Sequence, residues 1–462
     1  MNVKASFSSS VLNIIRMIRC LGSAEKMTSS QIVEIQQDRF SRQLRHVLRY
    51  SEFYRNFYRK AGIDIERPEL IQLKDLPVID KDLMMDHFDE FVCNKQLKKS
   101  KLEDFIKDPD SVDKKYKDEF KVIHTSGSSG RIGIFVYGAN DWAIAEAAVY
   151  SRISKNKLHF IGKAKHAFIG VTDGHYAGIS LAKSGPKWLF DFLPVDMNQP
   201  LHPSLVRLND FQPECLSGYS SGVYLLALEQ LKGNLKIHPT RILCSADPLT
   251  SEMRETIRNA FGIMPYNYYA ASESLCMGIQ CDRFNGIHLF DDLHIFEIIK
   301  ENGEEAKPGE PGNLVMTNLY NKTQPLIRYR MNDNLIPSEN SCECGWPFRS
   351  VESIAGREEE FLFFTDPAGN RQFIHPIVFV EFFAPGLEKF QIIQTEPNML
   401  ILNAIIKGNK EEAIQAIEKR MDTILHQKEL YDFVHYKINV VNDIPNDPQT
   451  GKFRLIIPYL NS

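Results

Sequence analysis

Across residues 31–61, apolar side chains recur at helical spacing, at Ile32, Ile35, Phe40, Leu44, Val47 and Leu48, with Arg and Gln between them. A stripe of that period falls on one face, so the segment is predicted to be an amphipathic helix leading into the body of the protein. Ahead of it, residues 11–19 are apolar but interrupted by Arg16 and Arg19 and lack a small-residue cleavage site, which reads as a packing helix and not as a secretory signal. Residues 107–121 are dense in Lys and Asp with no apolar period, so a solvated loop is predicted before a short strand at Val122, Ile123 and His124. Further on, β-rich runs at 167–171 and 241–244 alternate with helical patterns at 222–231 and 251–261. Alternation of this kind argues for α/β layering. After Gly356 and Arg357 the pattern changes to strands at 360–364, 390–394 and 399–406, a helix at 411–425 and a last strand at 435–441. We expect a large α/β domain over residues 1–357 and a small α+β domain over 358–462.

Composition narrows the function classes. A chain of 462 residues is longer than one hydrophobic core usually serves, which agrees with two domains. The formal charge of −4 and the interspersed lysines leave no positive field for a polyanion, so nucleic acid is not an expected partner. No apolar run approaches the roughly 20 residues that span a bilayer, and no membrane association is expected. Eight cysteines in so long a chain point to reduced thiols or metal ligands and to the cytoplasm, not to a disulfide framework.

One segment carries a strong chemical signal. Thr125, Ser126, Gly127, Ser128, Ser129 and Gly130 place four hydroxyls and two glycines directly after a predicted strand. Glycines let backbone turn closely around phosphate oxygens, while hydroxyl and amide groups donate to them. A polar turn would explain the hexapeptide alone equally simply. No Gly-Lys-Ser/Thr closes it, which excludes a Walker A loop and with it the ordinary P-loop kinases and NTPases.

Here the chain resembles the adenylate-forming superfamily, whose phosphate loop reads Ser/Thr-Ser-Gly-Thr/Ser-Thr/Ser-Gly-x-Pro-Lys; in this sequence Arg131, Ile132 and Gly133 follow, and Arg131 stands where a basic contact is wanted. Other motifs follow in the family's order. Gly218-Tyr219-Ser220-Ser221 and Ser245-Ala246-Asp247-Pro248 resemble the Gly-Tyr-Pro-Ser and Gly-Ala-Glu-Pro segments of the phenylacetate-CoA ligase-like branch. Tyr269-Ala270-Ala271-Ser272-Glu273 resembles Tyr-Gly-x-Thr-Glu, and Pro325 to Asp333 resembles Pro-Leu-x-Arg-Tyr-Arg-Thr-Gly-Asp, with Asn332 in place of Gly. Gly356-Arg357-Glu358-Glu359 stands at the hinge motif, with Glu359 for its usual aspartate, and Lys452 lies in a Gly-Lys ending close to the C-terminus. Cys342-Glu343-Cys344-Gly345 resembles the same branch, and Cys-Gly-x-Pro-Phe-Arg at Cys344 to Arg349 looks like a narrower subgroup of it whose substrate cannot be inferred.

The resemblance covers residues 40–460. It implies a large multi-sheet N-terminal domain and a small mobile C-terminal one, with ATP, Mg²⁺ and coenzyme A taken up beside a small carboxylic acid. Thr125 to Gly130, Ala246, Asp247, Tyr269, Ala270, Ser272, Asp333 and Arg357 would contact the nucleotide, Asp333 through the ribose hydroxyls. Glu273 would hold Mg²⁺, which favours one or two carboxylates with phosphate oxygens. Lys452 would bridge the substrate carboxylate and the α-phosphate, where a cation offsets repulsion between two anions. Glu359 would act as the hinge. His175, Tyr176, Tyr219 and Tyr268 are candidates for an aromatic acyl pocket, although core packing would use the same rings. A carrier-protein thiol or an amine as acceptor, and a non-catalytic nucleotide-binding protein, are the competing readings; the oligomeric state, a homodimer included, stays open. Read from residue type alone, Cys281, His288, Cys342 and Cys344 offer three thiolates and an imidazole, a set that suits structural zinc, with Cys276 as a rival fourth ligand and plain buried cysteines as the alternative.

Overall fold

The computed structural model of the chain describes residues 16–125, 132–153, 163–185, 187, 190–339, 341–355, 362–369, 371–374, 377–380, 382, 384–445 and 454–459. The amphipathic segment near the N-terminus is two helices and not one, α1 (Ser29–Tyr50) and α2 (Glu52–Lys60). Ser51 separates them: it is extended, at φ −97° and ψ 124°, its N–H closes α1 on Val47 O, and its hydroxyl accepts from the Tyr54 amide at 3.3 Å. A serine that can satisfy an orphan amide starts a new helix without breaking the apolar stripe, so periodicity alone does not reveal the break. Residues 11–15 of the predicted packing helix lie outside the described residues, while 16–24 are helical.

The predicted charged loop is irregular as expected, with one 3₁₀ turn at Pro109–Ser111 and a single bridge between Tyr116 and Phe120. It feeds β1 (Lys121–His124), which pairs antiparallel with β2 (Ile134–Tyr137), a partner too short and too continuously apolar to stand out in the sequence. Helix α3 (Ala139–Ile153) follows.

An 11-stranded sheet organises the large part of the chain. Its parallel half holds β3 (Ala164–Gly170), β4 (Phe190–Asp196), β5 (Cys215–Tyr219), β6 (Arg241–Ser245) and β7 (Tyr266–Ala271), with α4 (Ser220–Leu231) and α5 (Ser251–Phe261) as crossovers. Their order in space is β4-β3-β5-β6-β7, so the chain reverses direction of travel at β3. Loops diverge at such a switch point and leave a crevice beyond the C-terminal ends of the strands. The antiparallel half continues through β8 (Ser274–Ile279), β9 (Ile287–Leu289), β10 (His294–Ile299), β11 (Gly312–Asn318), β12 (Tyr329–Pro337) and β13 (Ser350–Ala355). Alternating patterns in this half are partly erased because both faces are covered: all six residues of β8 are buried.

C-terminal residues build a separate core from Leu362, Phe364, Ile392, Leu400, Leu402, Ile417, Met421 and Ile424. A hairpin of β14 (Leu362–Thr365) and β15 (Arg371–Ile374) accompanies a four-stranded sheet of order β18-β17-β16-β19, made of β16 (Leu387–Glu396), β17 (Met399–Ile406), β18 (His435–Val440) and β19 (Ile456–Ile457), with α6 (Lys410–Gln427) packed on it. Among the described residues no helix is long and apolar enough to cross a membrane.

Ser51 supplies one cap and also donates to Glu90 O at 3.1 Å. Ser51→Ala is expected to lower stability by about 1 kcal/mol, measured as a drop in the urea midpoint at unchanged slope. An unchanged midpoint would show that packing alone sets the break between α1 and α2.

Candidate active site

The serine- and glycine-rich segment sits at the tip of the β1–β2 hairpin. Residues 126–131 lie outside the described structure, but its two ends are fixed: Thr125 N donates to Gly133 O at 2.9 Å, and Gly133 N donates to Thr125 Oγ1 at 2.8 Å. A β-carbon at Gly133 would lie 3.3 Å from Lys81 Cδ, so the stem of Lys81 runs beside the loop. Nothing in the sequence around Lys81 signals this, because the contact joins residues about fifty positions apart.

The β7–β8 hairpin meets this clamp from below. Ser272 donates its hydroxyl to His124 O at 3.3 Å, and the Tyr137 hydroxyl donates to Ser272 O at 2.7 Å. Neighbouring Glu273 is hydrogen-bonded by Tyr329, whose burial and closeness to that carboxylate push its phenol well above the usual range. On the opposite flank the Tyr269 hydroxyl donates to Asp333 Oδ2 at 2.7 Å, and Asp333 is fully buried. Five of the predicted nucleotide-site residues, Thr125, Tyr269, Ser272, Glu273 and Asp333, are thus held close by ties from the β7–β8 turn to β1 and β12. Tyr329 and Tyr137 were not singled out from the sequence. Both read as ordinary strand aromatics there, and only the cross-strand packing reveals their polar ends.

The C-terminal ends of β3 and β5 form the wall of the crevice. Gly218 is held at φ +151°, and a β-carbon there would come within 1.9 Å of Ile169 O, so only glycine permits the approach of the two strands. Tyr219 follows it, packed edge-to-face on Phe168 with centroids 6.4 Å apart, over the space that Gly170 leaves open. Tyr176 lies against the His124 ring at 4.7 Å. His175 turns the other way: its Nε2 meets Ser111 Oγ at 2.8 Å, its ring packs on Phe105, and burial lowers its pKa to about 4. His175 thus braces the charged loop against this wall through its side chain, while its backbone carbonyl accepts from His124 N.

Two residues occupy places other than those read from the sequence. Tyr268 was a candidate for the acyl pocket, but its hydroxyl donates to Leu275 O at 2.7 Å inside the main core, because successive β7 side chains point to opposite faces and Tyr269 takes the site side. Asp247 was assigned to the nucleotide; its carboxylate accepts the Ser220 and Ser221 amides, the latter at 3.1 Å, and so caps α4. Beside it Ala246 adopts the left-handed conformation at φ +70°, a strained state for a residue with a β-carbon that lets the backbone turn across the end of β6. Ala270 lies in β7 between the two tyrosines. Arg328, inside the Pro-Leu-x-Arg string, is structural: it forks onto Glu297 at 2.9 and 3.0 Å. Ser126, Gly127, Ser128, Ser129, Gly130, Arg131, Arg357, Glu359 and Lys452 lie outside the described residues.

Apart from this crevice, Cys281, His288, Cys342 and Cys344 are brought together from three segments, their ligand atoms all within 4.8 Å of one another. Cys276 is not among them; it is buried in β8 beside Tyr320.

Comparison with known proteins agrees with this architecture. The family model described as the CapK C-terminal domain matches residues 368–458. Protein CapK of Staphylococcus aureus is 23% identical over 447 residues, which cover 93% of this chain and 89% of that protein. The phenylacetate-coenzyme A ligase of Thermus thermophilus is 24% identical over 73% of this chain and 73% of its own length, and that of Escherichia coli is 25% identical over 74% and 75%. Among solved structures, 2-hydroxyisobutyryl-CoA ligase in complex with 2-HIB-AMP and CoA superposes with a TM-score of 0.65 at 18% identity, over 94% of this chain and 91% of that one. The fold is that of the adenylate-forming ligases.

Two further buried imidazoles bear on acid stability. His294 Nδ1 donates to Phe290 O at 3.1 Å, leaving Nε2 to accept from Ser274 Oγ at 2.7 Å, and burial lowers its pKa to about 4; burial does the same for His166. Because the folded values lie below the unfolded one, these groups cost nothing above pH ~6.5 and oppose folding increasingly as pH falls towards 4. The unfolding midpoint is expected to drop between pH ~6.5 and 5, and His294→Gln, which keeps a donor and an acceptor, to flatten that drop. An identical slope in the variant would contradict a neutral His294.

Proposed function

We propose, taking the chain as a phenylacetate-coenzyme A ligase-like member of the adenylate-forming superfamily, that it activates a carboxylic acid with ATP and transfers the acyl group to a thiol. The observation that carries this reading is the set of ties that brings the clamped loop at Thr125, the Ser272–Glu273 turn and the Tyr269–Asp333 pair to one crevice. Isolated, each of these residues has a bland structural explanation; joined, they set donors for phosphates, a carboxylate for Mg²⁺ and an acceptor for ribose around one space.

In the first half-reaction a carboxylate oxygen attacks the α-phosphorus, the bond to the β-phosphate oxygen breaks, and pyrophosphate leaves. The clamped loop would bind the departing phosphates, and Glu273, held by Tyr329, would supply the protein ligand to a Mg²⁺ ion whose charge would screen them. Asp333 fixes the ribose; Tyr269 positions Asp333. Lys452 neutralises the two anions that must meet. In the second half-reaction the thiol sulfur, losing its proton, attacks the acyl carbonyl carbon and AMP leaves with the electron pair. The two half-reactions use residues 1–357 as the binding body and 358–462 as the unit that carries Lys452 in and turns about Glu359. Tyr176, Tyr219 and Phe168 line the space for the acid, which suits an aryl or arylacetic acid.

Coenzyme A is the favoured acceptor, supported by its presence in the complex of the similar 2-hydroxyisobutyryl-CoA ligase. Transfer to a carrier-protein thiol or an amine is the second reading, and the broad kinship with CapK, whose name specifies no acceptor, keeps it worth testing by product mass with each acceptor. All eight cysteines are free, which fits a reducing compartment such as the cytoplasm. A structural zinc ion would be a feature of the fold and no participant in either half-reaction.

Lys452→Ala is expected to abolish acid-dependent ATP–pyrophosphate exchange and to leave thioester formation from supplied acyl-adenylate largely intact; exchange at the wild-type rate would remove Lys452 from the mechanism. Tyr269→Phe strips a donor from a buried carboxylate, a change worth about 1.5–3 kcal/mol. It should raise the KM for ATP by an order of magnitude or more with the KM for the acid unchanged.

A further inference from the structure

We propose that Cys281, His288, Cys342 and Cys344 bind one structural Zn²⁺ ion that pins the segment before β13 to the sheet. Cys281 closes the end of β8, His288 lies in β9, and the Cys342-x-Cys344 pair comes from the loop that leads into β13. Only the tertiary fold brings them together: Cys281 and Cys342 are 61 residues apart in the chain, yet their sulfurs are 3.6 Å apart. That separation is far too long for a disulfide, whose sulfurs sit about 2.05 Å apart. It matches the edge of a zinc tetrahedron, for zinc–sulfur bonds of about 2.3 Å place two thiolates roughly 3.7 Å apart. The distance of 3.4 Å between Cys344 Sγ and His288 Nε2 fits the shorter edge between a thiolate and an imidazole.

The surroundings orient the donor atoms. His288 Nδ1 faces Phe348 O at 3.1 Å, and a carbonyl can only accept, so that nitrogen carries the hydrogen and Nε2 is left with its lone pair on the cysteine side. The Trp346 amide donates to Cys344 Sγ at 3.4 Å and so fixes the position of that sulfur. Gly345 is held at φ +80°, which lets the backbone fold around the sulfur between Cys344 and Trp346. Three thiolates and one imidazole complete a tetrahedral shell and leave no position for water or substrate, so the ion is structural. Softness of the donors excludes Mg²⁺ and Ca²⁺ and favours zinc.

The mechanical consequence lies in what the pinned loop carries. Trp346 and Phe348 pack against Ala24, Met27, Ile32 and Ile35 of the N-terminal helices, and Phe348 covers the buried guanidinium of Arg152, which lies 4.5 Å from the Phe290 ring and 4.6 Å from the Phe348 ring. Arg152 is also paired with Asp292 at 2.8 Å. Holding residues 342–349 in place therefore seats the N-terminal helices and starts β13, the strand that runs to the edge of the hinge motif.

The test uses the full-length wild-type chain, purified under reducing conditions and analysed for metals. One equivalent of zinc per chain is expected, falling to background in a Cys342→Ser, Cys344→Ser double variant. Cobalt exchanged into the wild-type protein should give tetrahedral visible bands and an intense thiolate-to-metal band in the near ultraviolet, a readout that stands even if the double variant does not fold. Removing the metal should lower the melting temperature without altering an intact nucleotide-binding crevice at low temperature. Folded protein that contains no zinc and takes up neither zinc nor cobalt overturns the proposal, as does stoichiometric iron in place of zinc or a Cys281–Cys342 disulfide in the reduced preparation.

Discussion

A carboxylate with no exposed surface can persist in a protein interior only while donors face it, and at Asp333 the Tyr269 hydroxyl is one such donor. That pair fixes β12 to β7 at the seam where the parallel half of the sheet becomes antiparallel. Much of the crevice depends on that seam. The turn after β7 carries Ser272 to the carbonyl of His124 and Glu273 to the hydroxyl of Tyr329, so the end of β1 is referred back to the same strand that orients Asp333. An open α/β sheet offers its crevice at the C-terminal strand ends for topological reasons alone. What this chain adds is a set of short polar ties that make the crevice a single rigid object.

Rigidity on one side and rearrangement on the other suit chemistry in two steps. In the proposed reaction a binding body for phosphates, ribose and acid would stay fixed while a smaller unit presents different groups in turn, and the C-terminal residues have a hydrophobic cluster of their own around Leu400, Ile417 and Met421. The glycine at 218 belongs to the rigid side. Its backbone approaches Ile169 so closely that any side chain would force β3 and β5 apart and unseat Tyr219.

Much of this was legible in the sequence, for identifiable reasons. Alternation of strand and helix predicted the parallel half, and α5 matches its predicted span because Thr250 and Gly262 cap it at both ends. The antiparallel half was obscure because strands covered on both faces lose their period. Of the proposed site residues, Thr125, Tyr269, Ser272, Glu273 and Asp333 were readable as parts of ordered strings, and the fold brings them near one another. The capping role of the Asp247 carboxylate was not legible, because an acid beside Ala246 in a motif does not announce whether its side chain faces a ligand or a helix terminus. Tyr268 and Tyr269 are adjacent, and only strand register decides which of them meets Asp333. The four zinc-type ligands were chosen from the sequence, whereas the exclusion of Cys276 needed the sheet.

The central proposal is that a carboxylate becomes covalently joined to the α-phosphate of ATP in this crevice. Incubating the enzyme with ATP and an acid labelled with oxygen-18 in its carboxylate, with an acceptor thiol present, tests that bond directly. The account predicts one labelled oxygen in the phosphate of the AMP released, for whichever acid the pocket accepts. Product formed with unlabelled AMP, or with ADP and phosphate as the nucleotide products, would contradict it.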